Sequence, residues 1–384
     1  MFGGTTVAKK ERYVYKGVCL PLVFIAITLT CIGLVMVFSA SYNSNILSTR
    51  EDTTIFDNIK FQGIVAIFGI IWMFIISRID YHALIRPRIL ISGFIVCIVL
   101  LLAVFAFPAV YDSHRWIKLS LFTFQPSEIA KFMAIIYVSY YTSKKKWWYR
   151  AASGWMGLLL PVVVLAGLII IEPDLSTTLT LLGAVVIVMF ISGMQWKFLL
   201  GGILGIGMLI PTMIFFTGYQ GRRFESWLNA WGDPKGTGYQ VVQSLYAIGD
   251  GGLFGVGLGN SKQKITHLPM SDTDYIFSII CEEFGFVGGA LVVALYFAYA
   301  YFGIKIALEA EDSFGAYLAA GVTSLIVLQA FINMGVATNV LPSTGVTLPF
   351  ISRGATSLGI VLCATGLLLS VSAHKKRKPQ QSND

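Results

Sequence analysis

Ten long apolar runs decide what this chain can become. They cover residues 18–40, 61–77, 89–105, 127–141, 155–170, 175–191, 198–215, 275–304, 314–337 and 354–371. A bilayer's hydrocarbon core takes about 20 apolar residues per crossing helix. Inside it every backbone N–H and C=O must be paired within the segment, so the runs are expected to be helices. Composition agrees, because 56% of the 384 residues are hydrophobic and only 12% are charged, more apolar surface than one water-facing core can hide. The expected fold class is an all-α polytopic membrane protein of about ten transmembrane helices.

Basic residues orient it. Placing the N-terminus in the cytoplasm puts 17 of the 28 Lys and Arg inside and 10 outside, with Lys131 within a run. The positive-inside rule then sets both termini in the cytoplasm. Expected domains are a cytoplasmic segment 1–17, a membrane domain 18–371 and a basic cytoplasmic tail 372–384. A large extracytoplasmic loop, 217–273, falls between the seventh and eighth spans. The first run is too long for a signal-peptide core and is read as a retained span. The net charge of +8 is read as topology and leaflet attraction, with no nucleic-acid partner. Cys19, Cys31, Cys97, Cys281 and Cys363 lie in apolar runs without C-x-x-C spacing, which argues against disulfides or zinc.

The glycine string Gly249–Gly259 lacks the flanking strand and helix of a nucleotide fold. It is read as a tightly packed re-entrant or surface loop in which glycines allow close backbone approach. Charges within spans are costly, about 2.5–3.5 kcal/mol each at the bilayer centre. Glu128 and Lys131 share a helix face at i, i+3, and both a structural pair and a substrate contact stay open for them. Glu282 and Glu283 are adjacent and must face different partners. Asp272 and Asp274 precede the eighth run, and Glu172 and Asp174 flank Pro173 before the sixth. From residue type alone each is most simply a helix cap.

Several ordered segments together resemble the SEDS family (shape, elongation, division and sporulation), with a lean toward its FtsW and SpoVE branch. They are Gly33–Ser41, Arg115–Leu119, Phe124–Lys131, Glu172–Thr177, Gly238–Leu245, Gly251–Lys264, Thr273–Phe277 with Glu282 and Glu283, and Leu341–Ser352. The resemblance implies a peptidoglycan glycosyltransferase that polymerises lipid II outside the cytoplasmic membrane. Its implied partners are a class B penicillin-binding protein and other divisome or elongasome membrane proteins.

The family's essential carboxylate falls on Asp274, and its buried pair on Glu128 and Lys131. Its outer basic and aromatic motif begins at Arg115 and Trp116. Polymerisation needs a general base for a sugar hydroxyl and cations for a departing diphosphate. Arg115, Lys118, Arg222, Arg223 and Lys264 are the outward cations expected to meet substrate. A divalent cation, Mg or Mn, held by Asp272 and Asp274, is a further expectation.

Three positions depart from the family pattern. Met270 stands where Glu is frequent, and Asp272 where His is frequent. Arg353 opens a run that in the family usually begins with Tyr. Asp272 adds charge beside the expected base, and Arg353 places a cation at the outer face for diphosphate or anionic lipid. Two other functions are weighed: a flippase for the lipid-linked precursor, and a non-catalytic recruiter of a penicillin-binding protein.

Overall fold

The computed structural model describes residues 13–15, 17–44, 55–108, 115–118, 123–144, 152–216, 218–266, 268 and 271–376. Met270 and most of both terminal segments lie outside these. The helices are α1 (Leu20–Ser44), α2 (Ile55–Arg78), α3 (Pro87–Ala103), α4 (Pro126–Lys144), α5 (Ala152–Ile171), α6 (Leu175–Ile191) and α7 (Trp196–Phe216). There follow α8 (Gly218–Leu228), α9 (Tyr239–Asp250), α10 (Gln263–Thr266), α11 (Ile276–Leu308), α12 (Ser313–Ala337) and α13 (Ala355–Ala373). Strands are limited to two short pairs, β1 (Tyr13–Tyr15) with β4 (His374–Lys376) and β2 (Ile117–Lys118) with β3 (Thr123–Phe124).

The ten apolar runs fall on α1 to α7 and α11 to α13. Among the described residues six helices, α1, α2, α3, α11, α12 and α13, are long and apolar enough to cross a membrane, while 157–171 and 175–191 are apolar but shorter. The centre is α11 and α12, whose apolar windows are 61% buried against 22% for that of α3. Around them pack α4, α6, α9 and α13, and α13 lies along α2. Outer helices turn Ile67, Phe68, Trp72, Ile91 and Ile95 to the surface, as lipid-facing helices do. The antiparallel pairing of Tyr13 with Lys376 and Tyr15 with His374 brings the two chain ends to one face.

Helix starts follow local chemistry. Asp174 caps α6, its carboxylate accepting from the Thr177 N–H at 3.1 Å and from the Thr177 hydroxyl at 2.8 Å. Glu172, expected to share that role, does not cap. It is fully buried, with neither carboxylate oxygen bonded among the described residues. Asp312 caps α12 through Phe314 and Gly315 N–H groups.

The glycine string packs tightly against α11. α11 breaks at Gly285, where φ is +68°, and the break frees backbone groups that need partners. The loop supplies them: Val256 and Gly257 N–H groups donate to the Glu282 and Glu283 carbonyls at 2.9 and 3.0 Å. In return Phe286 and Val287 donate to the Gly252 and Leu253 carbonyls at 2.8 and 3.2 Å. The approach is so close that a Cβ on Gly251 or Gly255 would sit 1.9 or 2.1 Å from the Cys281 or Glu283 carbonyl oxygen. Only glycine fits there.

Beside the paired strands β1 and β4, a polar clasp joins the segment after α2 to the start of α12. Tyr81 donates its hydroxyl to Asp312, and His82 lies 2.6 Å from Asp80 and 3.5 Å from Asp312. Burial alone would lower the His82 pKa, but hydrogen bonds and charges from Asp312 and Asp80 raise it above its ordinary 6.5. A histidine raised on folding adds stability that is complete below the unfolded pKa and is lost as pH climbs through the folded one. Thermal unfolding in detergent is therefore expected at lower temperature as pH rises from about 6.5, and His82→Gln should flatten that dependence.

Candidate active site

Asp274 sits in the turn 271–275 that leads into α11. Neither it nor Asp272 caps the helix, because the N-cap position is Tyr275 and carries no side-chain cap bond. The Asp274 side chain is partly exposed, and its carboxylate accepts no hydrogen bond among the described residues. Across from it stands Arg223 of α8, which donates to the Ser343 carbonyl at 3.3 Å. Between the two lies Gly345, exposed and at φ +76°. A Cβ on Gly345 would be 3.7 Å from both guanidinium nitrogens of Arg223 and 3.7 Å from Asp274 Oδ2. A carboxylate and a cation thus flank a slot open to the surface.

Burial pushes the Asp274 carboxyl up to about 6, with Asp272 and Asp174 adding to the rise while Arg223 and Arg115 oppose it. Asp272 is already engaged. Its carboxylate pairs with Arg353 Nη1 at 2.8 Å, so the two departures from the family pattern meet each other. Arg353, expected to reach for diphosphate or lipid, is engaged here by Asp272. The same ion pair bears on the metal expectation. An acid spent on a guanidinium is a poor divalent ligand, and among the described residues no group of three or more His, Cys, Asp or Glu gathers here.

Arg115 faces the same region but serves the α5–α6 turn. Its guanidinium donates to the Glu172 carbonyl at 3.2 Å and to the Pro173 carbonyl, and lies 3.9 Å from Asp174. Burial first, then the charge of Asp174, pushes the Glu172 carboxyl up to about 9 against the pull of Arg115, which keeps it protonated near neutrality. Lys118 and Arg222 are exposed and Trp116 is half-buried.

The sequence profile of the cell cycle protein family FtsW/RodA/SpoVE matches residues 20–377. The chain belongs to this family. It is 37% identical to a protein of Geobacter metallireducens named probable peptidoglycan glycosyltransferase FtsW, over 94% of this chain and 96% of that one. It is 38% identical to stage V sporulation protein E of Bacillus subtilis, over 92% and 97%. A solved chain described under structural coordination of polymerization and crosslinking by a peptidoglycan synthase complex superposes with a TM-score of 0.75 at 25% identity, over 92% of this chain and 97% of that one. The rod shape determining protein RodA of Thermus thermophilus shares the fold, with a TM-score of 0.66 at 23% identity over 92% and 96%. Family and apolar helices together make this a multi-pass membrane protein.

Three residues expected to meet substrate, Lys264, Glu128 and Lys131, are buried inside this family member. Lys264 is 4% exposed, its ammonium held by Glu283 at 2.5 Å and by the Ser39 hydroxyl at 2.8 Å. Glu282 turns the other way, accepting from the Ser261 hydroxyl at 2.5 Å and the Lys262 N–H at 2.7 Å. The adjacent acids do face separate partners, but Lys264 is a structural cation that ties α10 to α11 and α1. Glu128 and Lys131 form a closed pair at 2.8 Å, and Lys131 also donates to Gln329 of α12 at 2.7 Å. In this arrangement their role is internal.

Leu341–Ser352 carried the resemblance, yet no residue of that stretch, which lies in the segment 338–354 joining α12 to α13, was expected to line the site. It contributes Gly345, and it is held by Gln329, whose amide donates to the Thr347 carbonyl at 3.1 Å. Nothing in the type of a lone Gln or Asn inside an apolar run marks it as part of a site. Removing one partner of a buried ion pair leaves the other charge uncompensated, at a cost of about 3–5 kcal/mol. Lys131→Met is expected to lower stability in detergent by that order along with activity, and adding Glu128→Gln should recover part of it. A stable but inactive Lys131→Met protein would instead assign the pair to substrate.

Proposed function

We propose that this chain is a peptidoglycan glycosyltransferase that polymerises lipid II at the outer face of the cytoplasmic membrane, with Asp274 as general base. The observation that carries the reading is the unbonded Asp274 carboxylate facing Arg223 across the Gly345 slot. The relatives' names support it. The proposed topology has ten spans, with both termini in the cytoplasm and 217–273 outside. The meeting of the two chain ends through β1 and β4 supports an even number of crossings.

Each step follows from residues of this chain. A sugar hydroxyl of one lipid-linked disaccharide attacks the anomeric carbon of another, and Asp274 takes the hydroxyl proton as the new C–O bond forms. The bond to the lipid diphosphate breaks with its electron pair on the departing oxygen. Arg223, which faces Asp274 across Gly345, and the exposed Arg222 and Lys118 are the cations proposed to stabilise that charge. A diphosphate leaves readily, so no general acid is required. Inversion at an alpha-linked donor gives a beta linkage. The kinship with a peptidoglycan synthase complex supports a class B penicillin-binding protein as working partner.

Purified protein with that partner and lipid II should yield glycan strands. Asp274→Asn is expected to lower the rate by about 10²- to 10⁴-fold, the usual weight of a general base, with folding kept. Equal polymer from wild type and Asp274→Asn would remove the proposed role, and vesicle transport without polymer would favour a flippase. The base works ionised, so kcat/KM should rise with pH through about 6 and then level. An ordinary aspartate, near 3.9, would leave the profile flat there. Arg223→Gln removes a charge that holds the carboxyl down and should move the rise to higher pH.

A further inference from the structure

The Asp274 carboxylate accepts no hydrogen bond among the described residues, yet the peptide that carries it is fixed at three consecutive carbonyls. The Arg353 N–H donates to the Asp272 carbonyl at 2.8 Å. The Ser352 hydroxyl donates to the Thr273 carbonyl at 2.6 Å. The Asn333 side-chain amide donates to the Asp274 carbonyl at 2.9 Å. Three donors from α12 and the segment after it thus take up three successive acceptors.

Two of the donors are themselves locked. Asn333 is 1% exposed, and its amide also donates to the Val346 carbonyl at 2.7 Å. Ser352 is 5% exposed, and its oxygen accepts from the Leu348 N–H at 2.7 Å. Each grips the Asp274 peptide with one bond and the 338–354 segment with another, so the acid and Gly345, which lines the slot, are held in one frame. We infer that Asn333 and Ser352 are positioning residues for Asp274, aiming its carboxylate through the backbone while leaving both oxygens open to the acceptor hydroxyl. The inference rests on the reading of Asp274 as base.

The full-length chain with its penicillin-binding partner, in detergent with lipid II, tests this through kcat, KM and thermal unfolding. Because a misplacement of about 1 Å can cost about 10²-fold, Ser352→Ala and Asn333→Leu are each expected to lower kcat about tenfold or more, with KM within about twofold. Ser352→Thr, which keeps the hydroxyl, should stay within about threefold of wild type. Should Asn333→Leu fail to fold, the Ala and Thr variants at Ser352 decide alone. Wild-type kcat in Ser352→Ala overturns the inference, as does a loss that Ser352→Thr shares, or a rise in KM at unchanged kcat. Asp274→Asn measured in parallel separates the two readings. If it polymerises normally, the base reading and this one fall together. If it is inactive while the Ser352 and Asn333 variants turn over normally, only the positioning role falls.

Discussion

A buried backbone N–H or C=O without a partner is costly where no water can reach it, and among the described residues regular helix gives way against the central helices at two places that bear on the site. One is the break in α11 at Gly285, the other the segment 338–354 between α12 and α13. Both are stitched by hydrogen bonds to distant parts of the chain, and the candidate site lies where the second meets the turn before α11. Glycine makes the first junction feasible, since Gly251 and Gly255 stand against carbonyls of α11 with no room for a side chain. Side-chain amides and a hydroxyl make the second, through Gln329, Asn333 and Ser352.

The buried charges belong to the same scheme. Glu128 holds Lys131, Lys131 donates to Gln329, and Gln329 holds Thr347. A buried ion pair at the start of α4 is thereby connected to the segment that lines the Asp274 slot. Lys264 and Glu283 do comparable work elsewhere, tying α10, which follows the glycine loop, to α1 and α11. Neither pair needs to touch substrate to matter for activity, because each holds backbone that in turn holds the acid.

Around Asp274 the charges are divided by task. Arg353 is spent on Asp272, Arg115 on the carbonyls of the α5–α6 turn, and Arg223 is the cation that faces the slot. A list of outward cations made from sequence position treats all of these alike. They differ only in what folding has placed beside them, and the same holds for Glu172 and Asp174, two residues apart, of which one is buried without a bond and the other caps a helix.

Much of the architecture was legible in the chain itself, because apolar length is a local property: the ten runs are helical, and the glycine string packs closely, as its composition requires. Motif resemblance singled out Asp274, since the pattern Thr-Asp-Tyr-Ile-Phe survives as contiguous residues. What contiguous sequence could not express was pairing across large separations. Asp272 with Arg353, Lys264 with Ser39, and Asn333 with the Asp274 carbonyl join residues 81, 225 and 59 positions apart. Which cations are engaged elsewhere, which acids are neutralised and what aims the base depend on those contacts, and a hydrogen bond is decided by distance and direction in the folded molecule rather than by residue type.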